Sequence, residues 1–278
     1  MCRLYGFSAT DPTRLDCSLV EAYNAMQVQS DRDGRGRRNA DGWGLAQWTA
    51  THPEIVRSTR PAFADPDFAG YAEATSSRLA LAHIRAATVG DVLIENVHPF
   101  SHGPWAFAHN GTLTAHTQLA PRLARVAYRT PQGSTDSELI FQWLLGRMPE
   151  FGLDPEEPAP DVTTLARLLE QVVLDLVRMS IEIPGVDPPK LNLLISDGVN
   201  LAASRWGNSL YWTARKGVPD CAVCGTDHCP EADESYRAVV IASEPITTER
   251  WVEVQEGTIL AVGPDAALTT LDLLTRAA

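Results

Sequence analysis

Cys2, directly after Met1, is the residue of this chain with the most chemistry in its position. A cysteine is small enough for the initiator methionine to be removed, and removal would put a thiol and a free α-amine on one residue. Such a residue carries its own nucleophile and its own base. The unperturbed amine titrates at about 7.7–8.0 and the thiol near 8.5, so both exchange protons close to neutral pH. The other reading of Cys2 is an incidental thiol, because free cysteine behaves as a small hydrophobe and is often buried.

Further segments offer groups that such a nucleophile needs: Asp-Gly-Trp-Gly at 41–44, His-Ile-Arg-Ala-Ala-Thr at 83–88, Asn-Val-His-Pro-Phe at 96–100, His-Asn-Gly at 109–111 and Thr-Asp-Ser-Glu at 135–138. Attack on an amide carbonyl builds negative charge on oxygen, so donors must be aimed at that oxygen. Asn110 offers a side-chain NH2 and Gly111 a backbone NH that nothing crowds; the alternative for Asn-Gly is a tight hairpin turn. Arg85, after the apolar run 79–84, can clamp a carboxylate through paired hydrogen bonds, or form an ordinary surface ion pair. Asp136 stands at a helix start, where the dipole favours it with or without a ligand. His83, His98 and His109 invite a Cys–His pair or a metal site. A terminal amine makes an imidazole base unnecessary, so all three are assigned to structural hydrogen bonding, and no metal or other cofactor is expected.

These residues need elements to hold them. Short apolar runs at 4–7, 42–48, 79–84, 105–108, 191–196, 201–205 and 238–242 read as strands. Two segments carry the helical period, 135–148 and 162–179. In the second, Leu165, Leu168, Leu169, Val172, Val173 and Leu176 form one stripe. Thr135 three residues before Glu138 predicts reciprocal capping. Strands in the outer thirds with long helices between them predict packed sheets flanked by helices, an α+β layered domain. The proline-rich acidic run 149–160 reads as a loop between helices, which leaves a single domain over 1–278.

The set and order of these motifs resemble the class II glutamine amidotransferases of the N-terminal nucleophile hydrolase superfamily. The likeness runs from Cys2 to about residue 145, with weaker similarity at 193–198 and in Ala-Ser-Glu-Pro at 242–245. It is closest to the stand-alone members. The resemblance implies a four-layer αββα sandwich of two antiparallel sheets and an enzyme that releases ammonia from glutamine through a Cys2 thioester. It implies Asn110 and Gly111 as oxyanion donors, and Arg85 with Thr88 on the α-carboxylate. It also implies Asp136 on the α-ammonium and Gly42 and Trp43 in the floor near the nucleophile. Members that pass ammonia through an internal tunnel often carry Trp after the matching Arg, and here the position is Ala86. A second reading keeps the chemistry and changes the leaving group to that of a γ-glutamyl peptide or thiol-biosynthesis intermediate. A third is a silent regulatory subunit that retains an amino-acid pocket.

Composition narrows the partners. At 278 residues, 44% hydrophobic, the chain can bury a sizeable core. A net charge of -12 works against nucleic-acid backbones and anionic membranes, which would repel it at long range. No run approaches a membrane span, the N-terminus lacks a signal-peptide pattern, and five cysteines fit reduced thiols, so the expected location is cytoplasmic. The expected partners are glutamine or a γ-glutamyl small molecule, and a separate synthase or acceptor subunit, with self-association left open. Cys221, Cys224, His228 and Cys229 resemble part of a zinc site, but the last two are adjacent and no second cluster follows, which favours a loop with reduced thiols. Arg32, Arg35, Arg37 and Arg38, spaced by glycines, read as a solvated, mobile loop able to fold over the site. Trp206, Trp212 and Trp251 either border the leaving-group side or belong to the core.

Overall fold

The computed structural model describes residues 2–217 and 233–273. In chain order the strands are β1 (Arg3–Arg14), β2 (Trp43–Gln47), β3 (Glu54–Ser58), β4 (Ser76–Ile84), β5 (Phe100–His102), β6 (Trp105–Thr112) and β7 (Lys190–Ser196). They continue with β8 (Leu201–Arg205), β9 (Tyr211–Lys216), β10 (Arg237–Ala242), β11 (Val252–Glu253), β12 (Thr258–Val262) and β13 (Leu268–Asp272). The helices are α1 (Met26–Asp31), α2 (Pro66–Ala74), α3 (His116–Ala124), α4 (Asp136–Arg147) and α5 (Val162–Ile181). One sheet has the order β11-β9-β10-β1-β4-β2-β3 and the other β13-β12-β8-β7-β6-β5, with antiparallel pairing throughout.

Side-chain alternation builds the layers. Leu4, Leu79, Leu81, Ala106, Ala108 and Leu194 meet between the sheets. Their neighbours Tyr5, Phe7, Ala80 and Ala82 point the other way, against Met26 of α1 and Phe68 of α2. On the second sheet Trp105, Phe107, Leu193 and Ile195 pack against Phe141 of α4 and Leu168 of α5. The result is helix, sheet, sheet, helix, as expected. Because the central strands are buried on both faces, their sequences are near-continuous apolar runs.

Both predicted helices are present. The α5 stripe is buried as read, and Asp161 caps its first turn by accepting the Thr164 N–H at 2.8 Å. The reciprocal cap on α4 is only half made. Thr135 Oγ1 accepts from Glu138 N at 3.1 Å, but the Glu138 carboxylate turns to the N–H groups of Gln132 and Gly133 at 2.8 and 2.7 Å. Those two donors belong to the approach to the helix, so the carboxylate ties the preceding loop to α4. The run 149–160 is a loop between α4 and α5, and Leu153 and Ala159 bury in the same apolar layer as those helices. Trp206, Trp212 and Trp251 all pack against the apolar layers, which places them with the core. The cysteine and histidine cluster at 221–229 lies outside the described residues.

The arginine-rich loop differs from expectation. Its arginines are exposed, but Asp33 is buried and ties the loop down. Asp33 Oδ1 accepts the N–H groups of Arg35 and Arg37, each at 2.9 Å, and Oδ2 pairs with the buried Arg3. Glu244 adds a second anion 3.2 Å from Arg3 and accepts Gly34 N at 3.0 Å. Burial pushes the Asp33 carboxyl up, but the Arg37 N–H and the Arg3 guanidinium outweigh it and hold the group below its usual range. Asp33→Ala should therefore cost the low end of about 3–5 kcal/mol in urea unfolding, since Arg3 keeps only Glu244 as an anionic partner beside its bond to the Cys2 carbonyl. A loss under about 1 kcal/mol would show the network to be dispensable.

Candidate active site

Cys2 immediately precedes β1, and the pairing of Arg3 opposite Ile84 carries it to the end of β4. There its Sγ donates to the Ala86 carbonyl and accepts from the Ala86 N–H, both at 3.3 Å. Burial raises the thiol pKa, against the opposing pull of the Ala86 N–H, Arg85 and Arg3. The sulfur thus rests as a thiol, and its use as a nucleophile requires a base to take the proton.

Cys2, Arg85, Thr88, Gly111 and Asp136 line one cleft, together with Ala86, Ala87, His98, His109 and Ser137. Arg85 enters it from the end of β4. One terminal nitrogen, Nη2, donates to the Val89 and Gly90 carbonyls at 3.1 and 3.2 Å, which locks the guanidinium plane. The other, Nη1, is buried and has no partner. A buried guanidinium with an unused donor is costly unless something anionic completes it. Asp136, the first residue of α4, uses Oδ2 to accept Leu113 N at 2.7 Å, while Oδ1 lies 3.3 Å from Ser137 Oγ, whose one proton goes to His109 Nδ1. The cleft therefore holds a cation and an anion, each with capacity to spare.

Asn110 and Gly111 are not a hairpin turn. They lie within β6, paired to Asn192 and Leu191 of β7. A Cβ on Gly111 would fall 1.8 Å from the Lys190 carbonyl oxygen, so only glycine allows this approach of the two strands. Asn110 is buried beside the cleft, its Nδ2 3.3 Å from Ser243 Oγ and its Oδ1 without a partner.

Two placements correct the expectations. Trp43 turns its side chain into the helix-covered face of the first sheet, edge-on to Phe68 at 5.1 Å, and its Nε1 donates to Asp65 at 3.0 Å. Gly42 does not reach the cleft either; its carbonyl accepts Arg85 N at 2.8 Å, which makes it a backbone prop for the arginine. Thr88 is at the exposed rim, where its hydroxyl is bonded to Thr112 Oγ1 at 3.0 Å.

The histidines divide. His109 is held at both ring nitrogens: Nε2–H donates to Lys190 O and Nδ1 accepts from Ser137 Oγ, each at 2.9 Å. His83 Nε2–H donates to His109 O at 3.2 Å. His98, expected to hydrogen-bond structurally, does not: both nitrogens are unpartnered, its ring lies 4.2 Å from that of His83, and it borders the cleft. Burial lowers the pKa of all three, to about 3 for His83, against the His109 carbonyl, and well below the ordinary value for His98. All three are neutral imidazoles near pH 7. Ser137, which abuts both His109 and Asp136, and Ser243 fall in the segments 135–138 and 242–245, where the sequence reading gives neither a role of its own.

The two-sheet sandwich is the fold of a solved glutamine aminotransferase class-II domain protein from Silicibacter pomeroyi, with a TM-score of 0.62 and 22% identity over 97% of this chain and 98% of that one. That likeness gives the fold, two antiparallel sheets packed between layers of helices. The chain belongs to the class II glutamine amidotransferases, whose family model matches residues 1–273, and it is an enzyme of that class. It is 30% identical to a putative glutamine amidotransferase, YafJ, from Escherichia coli, over 92% of this chain and 95% of that protein. It is 26% identical to a gamma-glutamyl-hercynylcysteine sulfoxide hydrolase from Mycobacterium tuberculosis, over 98% of this chain and 97% of that protein. Among the described residues no helix is long and apolar enough to cross a membrane.

The neutral histidines fix a pH dependence. A group whose folded pKa lies below its unfolded value binds more protons in the unfolded state, so stability is full above about 6.5 and falls as pH drops towards about 3. Each histidine that stays neutral should cost about 1.4 kcal/mol per pH unit in that window. Urea unfolding at pH 7.5, 6 and 5 should show a steep decline, and His98→Phe should make it shallower. Equal stability at all three values would contradict the assignment.

Proposed function

We propose that the protein hydrolyses γ-glutamyl amides, with glutamine as the expected substrate, through a thioester on Cys2. The observation that carries this reading is the unpartnered, buried Nη1 of Arg85 on the same cleft as the Cys2 thiol and Asp136. Arg85 would take the substrate α-carboxylate and Asp136 its α-ammonium, with Thr88 at the rim beside them. That pair recognises the free amino-acid end of a glutamyl group and ignores what is attached at the other end.

Removal of Met1 supplies the base. The Cys2 α-amine accepts the thiol proton as sulfur adds to the side-chain carbonyl, and Gly111 N–H with the Asn110 amide stabilises the oxyanion. Collapse breaks the C–N bond, the amine returns the proton to the leaving nitrogen, and ammonia departs. Water, deprotonated by the same amine, then cleaves the thioester to glutamate and the free thiol. The low pKa values of the three histidines support the amine in this role, because an imidazole that resists protonation is a poor proton store.

A second reading keeps every step but the leaving group. The similarity to a relative named as a hydrolase of a γ-glutamyl compound favours it, as does the exposure of Ala87 and Thr88 at the cleft rim. The ammonia released in the first reading would go to a separate acceptor subunit, and cytoplasmic residence suits either substrate.

Cys2→Ala should abolish glutamate release from glutamine, glutathione and related γ-glutamyl compounds while leaving the thermal midpoint unchanged. Mass spectrometry of active protein should find Cys2 at the terminus; full retention of Met1 in an active sample would remove the amine from the mechanism. Arg85→Lys should raise KM by about tenfold to a hundredfold with a smaller change in kcat, because lysine cannot keep both the carbonyl contacts and the carboxylate contact. An unchanged KM would displace the carboxylate from Arg85.

A further inference from the structure

Ser243 stands just after β10, where its N–H donates to Leu4 O at 3.1 Å, two residues from the nucleophile. Its side chain is buried, and its Oγ accepts the Leu4 N–H at 2.9 Å. A backbone N–H can only donate, so this contact fixes Oγ as an acceptor and leaves the hydroxyl proton to be placed elsewhere. The Asn110 amide, 3.3 Å away, is the neighbour that can receive it.

The two orientations of that amide are not equivalent. With Nδ2 towards Ser243, Oγ receives two donors and its own proton has no acceptor, while Asn110 Oδ1 is buried and unpaired. With the amide turned by half a rotation, Ser243 O–H donates to Oδ1 and both deficits vanish at once. What remains is an NH2 group facing away from Ser243, at the position where the amide oxygen has no hydrogen-bond partner. A free, fixed donor is what a developing oxyanion requires.

We propose that Ser243 is a positioning residue that sets the Asn110 amide with its nitrogen free to receive the oxyanion. The inference rests on the reading of Asn110 as an oxyanion donor. The frame around the contact is rigid on each side. Asn208 Nδ2 holds the Asn110 carbonyl at 2.9 Å, and Ser209 Oγ holds the Ser243 carbonyl at 3.0 Å. The next residue, Glu244, engages Arg3 and the Gly34 N–H, so Ser243 and Glu244 together brace the start of β1.

The test is a double-mutant cycle on steady-state hydrolysis of glutamine and of L-γ-glutamyl-p-nitroanilide, whose good leaving group keeps weak variants measurable. Ser243→Ala should lower kcat by about tenfold to a hundredfold, less than the ~10²–10³ typical of losing an oxyanion donor outright. KM and inhibition by product glutamate should hold. Ser243→Thr, which keeps the hydroxyl, should recover most of the rate. In an Asn110→Ala background, Ser243→Ala should have no further effect on kcat, because the group it orients is gone. Additive losses, an unchanged kcat in Ser243→Ala, or a loss confined to KM would each overturn the proposal. Absence of hydrolysis by the wild-type protein with a free Cys2 would instead overturn the proposed function.

Discussion

The antiparallel register of β1 on β4 is the constraint on which the rest of the site depends. Arg3 opposite Ile84 places Cys2 against Ala86 and beside Arg85, so the proposed nucleophile and the buried cation are set by one strand pairing. That pairing cannot slip by one residue without cost. Leu4, Leu79 and Leu81 face the second sheet while Tyr5, Phe7 and Ala82 face the helices, and a one-residue shift would exchange the two faces. The packing of two apolar layers thus fixes the placement of two polar groups that belong to neither layer's apolar cluster. On the far side, Ser243 and Glu244 close the same strand start from β10, so β1 is held by both neighbours at the point where its chemistry begins.

The second sheet contributes by a separate pairing. Gly111 within β6 can approach β7 only because it lacks a side chain, and that approach brings Lys190 O within reach of His109. His109 then bonds Ser137, which abuts Asp136 at the start of α4. The acid of the cleft is therefore located from the second sheet and the cation from the first, and the sandwich interface decides their separation. Keeping His83, His98 and His109 neutral is part of the same design. A protonated imidazole here would add positive charge beside Arg85 and repel the ammonium that Asp136 is proposed to bind.

Much of this was legible in the sequence, and the gaps have physical causes. The central strands β1, β2, β4, β6, β7, β8 and β10 announce themselves as apolar runs because both faces are buried, and α5 by its stripe, while β12, equally apolar and buried, is missing from the strand reading. The strands β3 and β13 are edge strands with partly exposed, polar-rich sequences and carry no such signal. The helix α2 is short and starts on a capped Pro, with too few turns to show a period. Trp43 misled for a related reason: flanking glycines look like a floor for a ligand, yet the pleat sends its side chain to the side of Leu45, away from the cleft. Asp33 was hidden among arginines. The residue that matters in that loop is the one whose carboxylate meets Arg3, a contact made across thirty residues of sequence.

The polarity of the cleft also separates two questions that share one chemistry. Arg85 and Asp136 are both proposed to address the amino-acid end of a glutamyl group, which would build selection at that end into the sandwich. The rim of the cleft carries Ala86, which offers a methyl group, and the exposed Ala87 and Thr88. Nothing in those three side chains distinguishes ammonia from a larger amine as it leaves. On the proposed reading, discrimination between an amide and a peptide would come from groups that cover the rim when substrate or a partner is bound. The Thr88 to Thr112 hydrogen bond, which ties the rim to the end of β6, is the contact that such a cover would have to meet.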